Sequence, residues 1–123
     1  IKRLLGHVQA VNHIAFSPDG RYMASASFDK KVKLWSGKTG DYIATLVGHV
    51  GSVYQLAWSP DSRFLVSASK DSTAKLWDIA NGGKAAKDTL PGHADEVYAI
   101  DWSPNGASVA TGSKDRTIKV WRH

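Results

Sequence analysis

Residues 48–78 read GHVGSVYQLAWSPDSRFLVSASKDSTAKLWD. Three short runs in this stretch, Val53 to Ser59, Phe64 to Ser69 and Thr73 to Trp77, are rich in β-branched and aromatic residues. Turn formers separate them, first Pro60-Asp61-Ser62 and then Lys70-Asp71-Ser72. Runs of this length and composition bounded by turn residues predict strands a, b and c of an antiparallel sheet rather than helices. Proline is confined to the turns, where its missing N–H removes no ladder bond.

The same stretch occurs three times. Gly6-His7, Gly48-His49 and Gly92-His93 are spaced by 42 and 44 residues, and Trp35, Trp77 and Trp121 repeat with the same steps. Between them stand Ser17-Pro18-Asp19-Gly20, Ser59-Pro60-Asp61-Ser62 and Ser103-Pro104-Asn105-Gly106, followed by Asp29, Asp71 and Asp115, each 22 residues after its histidine. A fourth strand, d, is expected over Tyr42 to Val47 and Lys87 to Leu90, and the two extra residues of the longer step fall in the Gly- and Lys-rich connection from Asp78 to Asp88. Periods of this length identify repeat architectures in which each unit is one supersecondary element. The units run over about 1–47, 48–90 and 91–123; the last ends after strand c, and Lys2 to Leu5 resembles a strand d with no preceding unit.

Composition sets outer bounds. The chain has 123 residues, 42% of them hydrophobic, with five Trp and no Cys, which excludes disulfide scaffolds, zinc–thiolate sites and thiol nucleophiles. No run of about 18 apolar residues marks a membrane span, so no membrane partner is expected and the chain is expected to be soluble and intracellular. Sixteen Lys and Arg against eleven Asp and Glu give a formal charge of +5. That charge suits an acidic or nucleic-acid partner, but the basic residues are scattered as on an ordinary solvated surface.

Gly-His, Asp and Trp at these spacings resemble the WD-repeat family of β-propellers. The implied fold is all-β, with four-stranded antiparallel blades. Three blades make an incomplete propeller, because closed rings typically use four to eight. The chain is therefore expected to be a fragment of a larger propeller, or to close a ring with copies of itself, Ile1 to Leu5 supplying the strand that the third unit lacks. The Trp-Asp pair that ends the repeat is intact at Trp77-Asp78 and becomes Trp35-Ser36 and Trp121-Arg122 in the other units.

His, Ser and Asp recurring together also read as parts of a hydrolytic triad. A catalytic site is needed once, however, and this set occurs three times in register, so no enzyme activity and no catalytic residue are expected. The resemblance implies a structural hydrogen-bond relay in each blade: His7, Ser25, Asp29 and Trp35; His49, Ser67, Asp71 and Trp77; His93, Thr111, Asp115 and Trp121. Ser27, Ser69 and Ser113 share the strand parity and are the alternative hydroxyls. The three histidines fall in different blades without a close His pair, so no metal site and no cofactor are expected. His13, where the other units have Gln55 and Ala99, reads as a satisfied strand histidine. Phe16, Trp58 and Trp102 read as packing between blades, and Lys33, Lys75 and Lys119 as stems covering a blade face with solvated heads.

Propellers of this family act as platforms whose partners meet the rim where strand a begins and the b–c turn ends. The matching positions are Ala10, Asn12 and Phe28; Ser52, Tyr54 and Lys70; Glu96, Tyr98 and Lys114. Aromatic residues of this kind are enriched in interface hot spots, although packing against neighbouring loops explains Tyr54 and Tyr98 equally well. The strings at 91–98, 26–30 and 69–73, and the closing Trp121-Arg122-His123, look like the C-terminal repeats of the Notchless family of large-subunit ribosome assembly factors. That likeness implies a nucleolar protein docking on the pre-ribosome, with ribosomal RNA and ribosomal proteins as partners. The alternative is a general WD-repeat scaffold or peptide-reading adaptor in ubiquitin ligation or signalling.

Overall fold

The computed structural model describes residues 1–83 and 85–122. Lys84, in the connection after the second unit, and His123, which ends the third, lie outside the described residues.

Among the described residues eleven strands form three antiparallel sheets. β1 (Val11–Phe16), β2 (Tyr22–Ser27), β3 (Val32–Ser36) and β4 (Tyr42–Leu46) lie side by side in chain order. So do β5 (Val53–Trp58), β6 (Phe64–Ser69), β7 (Ala74–Asp78) and β8 (Asp88–Leu90). The third sheet holds three strands, β9 (Val97–Trp102), β10 (Ser108–Ser113) and β11 (Ile118–Arg122). The connection after β7 contains a single 3-10 turn over Ile79–Asn81, closed by Gly82 at φ 69°. No strand forms over residues 1–10, because no neighbouring sheet offers an edge there. Instead Lys2 Nζ donates to Thr39 O at 2.9 Å and to Asp41 Oδ1 at 3.0 Å, which ties the segment to the loop between β3 and β4.

The core consists of two sheet-to-sheet layers. Ala24, Ala26, Val32, Leu34, Ala44 and Leu46 of the first blade pack against Val53, Leu56, Trp58, Leu65, Trp77 and Ile79 of the second. The opposite face of the second blade, Phe64, Val66, Ala68, Ala74 and Leu76, packs against Val97, Ile100, Trp102 and Val109 of the third. Every residue of β6 is therefore buried, whereas β10, whose sheet has one uncovered face, alternates. Trp58 stacks on Tyr22 at 6.0 Å between ring centroids and Trp102 on Phe64 at 6.4 Å, so the inner-strand tryptophans pack between blades. Phe16, with no sheet in front of it, is 59% exposed.

Strand a departs from simple alternation in all three units. The pairing register shifts between Val11 and His13, between Val53 and Gln55, and opposite Tyr98, so Asn12, Tyr54 and Tyr98 are each the extra residue of a β-bulge. A bulge re-aims side chains locally. Here it puts Val53 on the same buried face as Leu56 and Trp58 although Val53 and Leu56 are three residues apart.

Candidate functional site

In each blade the Gly-His loop folds over the outer part of strands b and c. The loop lies close to the blade: a Cβ at Gly48 would make ordinary contacts, 3.4 Å from the edge of the Trp77 ring and 3.5 Å from the Lys75 stem, and one at Gly6 would lie 3.4 Å from both Trp35 and Lys33, while Gly92, at φ 119°, holds a backbone conformation that favours glycine. The histidine that follows is thereby carried inward between strand b and the b–c turn.

The hydrogen bonds there repeat almost identically. Trp35 Nε1 donates to Ser25 Oγ at 2.9 Å, His7 Nε2 lies 2.7 Å from the same oxygen, and His7 Nδ1 lies 2.8 Å from Asp29 Oδ2. In the second blade Trp77 Nε1 donates to Ser67 Oγ at 2.9 Å, with His49 at 2.6 Å from that oxygen and 2.8 Å from Asp71 Oδ2. In the third the distances are 3.1 Å from Trp121 to Thr111 Oγ1, 2.7 Å from His93 Nε2 to Thr111 Oγ1 and 2.9 Å from His93 Nδ1 to Asp115 Oδ2. Donor and acceptor chemistry fixes the direction. Indole N–H only donates and carboxylate only accepts, so the imidazole carries its proton on Nδ1, donates it to Asp, and accepts the hydroxyl proton at Nε2. Each hydroxyl thus accepts from Trp and donates to His.

The second hydroxyl series does something else. Ser27 Oγ donates to Ala10 O at 2.8 Å and accepts from Asp29 N–H at 3.0 Å. Ser69 makes the same pair of bonds with Ser52 O and Asp71 N–H, and Ser113 with Glu96 O and Asp115 N–H. These serines lock the start of strand a to the b–c turn. Among the described residues no buried side-chain nitrogen or oxygen lacks a hydrogen-bond partner.

The three aspartates are held ionised. For Asp71, burial raises the carboxyl pKa, but the His49, Thr73 and Val50 hydrogen bonds outweigh it and hold it well below the usual carboxylate range. Asp115 is lowered too, first by the Thr117 hydroxyl, against burial, with the Ala94 N–H and His93 adding to the effect. Asp29, which has Lys31 in place of that threonine, is lowered against burial by His7 and the Val8 and Lys31 N–H groups. The Ser25, Ser67 and Thr111 hydroxyls at the centre of these bonds are buried and each also accepts from an indole, so the set ties the Gly-His loop to strands b and c and to the b–c turn. The cleft at the outer end of the first interface, about 100 Å³, is lined mainly by Tyr22, Leu34, Ile43, Leu46 and Ile79.

The nine rim positions divide into two groups. Asn12 Nδ2 donates to Val53 O at 2.9 Å, and Tyr54 OH donates to Glu96 Oε1 at 2.5 Å. Burial and that glutamate push the Tyr54 phenol up to about 12. These three side chains join neighbouring blades, while Ser52 is half-buried, its Oγ donating at 3.4 Å to Phe28 O. Ala10, Phe28, Lys70, Tyr98 and Lys114 stay exposed; Lys114 lies 3.6 Å from Glu96 Oε2, and the Tyr98 ring sits 5.2 Å from that of Tyr54.

Further side chains bond across the interfaces to partners that the sequence does not name. His13 Nδ1 accepts from Leu56 N–H at 3.1 Å, and Gln55 Oε1 accepts from Ile100 N–H at 2.8 Å, one acceptor per interface reaching into the next blade. Burial lowers the His13 pKa, in keeping with an acceptor nitrogen. The indoles of Trp58 and Trp102 donate to Ala15 O and Ala57 O. Lys33 and Lys75 reach strand d, each ammonium donating at 2.8 Å, to Thr45 in a half-buried position and to Thr89 in an exposed one. The only signal for the interface acceptors was that His13 and Gln55 occupy one repeat position and both accept hydrogen bonds.

The family profile described as WD domain, G-beta repeat, matches residues 1–36, 40–78 and 85–122, nearly the whole chain. The chain belongs to the WD-repeat family. Among relatives of this WD-repeat protein, ribosome assembly protein 4 of Saccharomyces cerevisiae is 60% identical over 45 residues, 37% of this chain and 9% of the relative. The Notchless protein homolog of Arabidopsis thaliana is 64% identical over 42 residues, 34% of this chain and 9% of the relative. Ribosome assembly protein 4 of Chaetomium thermophilum is 53% identical over 43 residues, 35% of this chain and 8% of the relative. Each match is about one repeat long and spans less than a tenth of the relative. Among the described residues no helix is long and apolar enough to cross a membrane.

Proposed function

We propose that this WD-repeat chain is a non-catalytic interaction platform of a Notchless-like factor, docking on the precursor of the large ribosomal subunit in the nucleolus. The observation that carries the ribosomal context is the 60% and 64% identity to proteins named for ribosome assembly and to a Notchless homolog. The platform role rests on the rim. Phe28, on the b–c turn, and Tyr98, at the bulge of β9, remain 44% and 45% exposed on backbone that the relay and the second serine series tie down. Rigid aromatic contacts bind at low entropic cost. Exposed Lys70 and Lys114 add ammonium groups suited to acidic protein or to ribosomal RNA backbone.

In this reading the chain is part of a larger propeller. Val11, Ile14 and Phe16 are 50%, 57% and 59% exposed, while their repeat equivalents in the second and third blades are buried against a preceding sheet. Ile118 and Val120 at the other end are 79% and 67% exposed, where Ala74 and Leu76 are buried against a following one. Both end faces are therefore built to be covered by further blades, either of a longer polypeptide or of a second copy.

The test is sedimentation of the tagged protein from cell extract. The expected result is co-sedimentation with large-subunit precursors, lost in Phe28→Ala/Tyr98→Ala at unchanged thermal midpoint. Absence of the parent protein from those fractions would overturn the ribosomal reading in favour of a general peptide-reading adaptor.

A further inference from the structure

The exposed apolar residues fall into two classes. Those on the end faces are open because a blade is missing beside them. Val47 and Val50 are different: they are 63% and 78% exposed although their loop leads into the second blade, which has a neighbour on both faces. Their repeat equivalents in the first unit, Leu5 and Val8, are 77% and 81% exposed. No additional blade explains them, since both blades flanking the second are already present. In the third unit these positions hold Pro91 and Ala94, so the apolar series is confined to the first two.

The loops that carry these side chains are not free to move. Val8 N–H donates to Asp29 Oδ2 and Val50 N–H to Asp71 Oδ2, both at 3.1 Å, which clamps each loop to its b–c turn. Those turns carry the exposed ammonium groups of Lys30, Lys31 and Lys70. Lys30 is held at φ 74°, directly after the relay aspartate. The carboxylates beside these cations are turned inward, with side chains of Asp29 and Asp71 only 2% and 5% exposed. Each of the two blades therefore presents a ridge with aliphatic side chains on one loop and an ammonium group on the turn clamped to it, at different turn positions, since Lys30 and Lys31 correspond to Ser72 and Thr73 and Lys70 to Phe28.

We propose that this ridge binds an extended polypeptide segment in which acidic and aliphatic residues alternate, the aliphatic side chains covering Val8 and Val50 and the carboxylates meeting Lys30, Lys31 and Lys70. A nucleic-acid backbone would satisfy the cations but leave the valines in water. A purely apolar segment would leave the ammonium groups without partners. The proposal rests on the platform reading of the chain and shares Lys70 with the rim, but Val8 and Val50 are distinct from Phe28 and Tyr98, so the valine variants and the aromatic variants test the two readings separately.

The experiment is fluorescence anisotropy of the full chain with a fluorescein-labelled peptide of repeating Glu-Leu-Asp. Saturable binding is expected, weakened about tenfold or more in Val8→Ser/Val50→Ser and in Lys30→Glu/Lys70→Glu. It should be unchanged in Phe16→Ser, which alters an end face, and in Phe28→Ala/Tyr98→Ala, which alters the rim. A Glu-Ser-Asp peptide should bind about tenfold more weakly than the leucine peptide. Circular dichroism melts confirm that each variant is folded. Equal binding of the serine peptide, loss in Phe16→Ser, no effect of Val8→Ser/Val50→Ser, or tighter binding of labelled oligouridylate would each overturn the proposal.

Discussion

The smallest unit that explains this protein is the aspartate after strand b. Asp71 accepts from His49, from the Thr73 hydroxyl at 2.6 Å, and from the Val50 and Thr73 N–H groups, so it closes a loop, a turn and an imidazole together. Replacing it by Ala leaves the His49 Nδ1–H buried without an acceptor. Asp71→Ala is expected to lower stability by about 1 to 3 kcal/mol at neutral pH, read from urea unfolding. Because the folded state depresses the Asp71 pKa, its contribution is complete above the unfolded carboxylate range and is lost as pH falls below about 4. The gap between parent and variant should therefore narrow on acidification. A gap that is absent at pH 7, or constant down to acid pH, would remove Asp71 from this role. The residue types of the relay were legible in the sequence because they recur three times in register. The choice of Ser25 over Ser27 came from the family resemblance and not from the residues themselves, since the two share strand parity; in the fold it is Ser25 that the Trp35 indole reaches.

Among elements, strand a was the least legible. Its apolar residues, Val53, Leu56 and Trp58, do not alternate, and the bulge at Tyr54 that reconciles them is a property of pairing with β6 rather than of local composition. The same bulge turns position 54 toward the next blade, where Tyr54 meets Glu96. This is why a residue assigned to the rim became an interface residue. Blade-to-blade registration also runs through strand a. Gln55→Ala should leave Ile100 N–H without an acceptor and cost about 1 to 3 kcal/mol, measured as a shift of the urea midpoint, with His13→Ala weakening the first interface in the same way. If Gln55→Ala unfolds like the parent, the Gln55–Ile100 hydrogen bond adds nothing to the second interface beyond its packing and the Trp102 and Tyr54 bonds.

At the scale of the whole molecule, two covered interfaces stand between two uncovered faces. Heterologous contacts of this kind propagate head to tail, and contiguous exposed apolar surface drives association. A second copy fits the third blade less well than the internal interfaces fit. Ala99 offers no acceptor where His13 and Gln55 do, and Arg3 stands in the repeat where Thr45 and Thr89 receive Lys33 and Lys75, so it would meet Lys119. The chain by itself should show weak, concentration-dependent association in sedimentation velocity, shifting to monomer in Phe16→Ser/Ile118→Ser. A monodisperse parent at micromolar concentration would show that the end faces do not pair with each other.

The period of 42 and 44 residues and the strand-like runs within it, read without coordinates, were enough for the all-β class and the number of blades, and the resemblance to the WD-repeat family supplied the relay residues, because each blade is built from contacts within one repeat. Contacts between repeats were beyond its reach. Which side of strand a faces the next blade, which rim residues join blades and which stay open, and where the Lys33 and Lys75 heads come to rest all follow from how one sheet is stacked and paired against another. Only the tertiary structure sets that arrangement, since a bulge shifts the facing of every residue beyond it without changing the local pattern that sequence reading depends on.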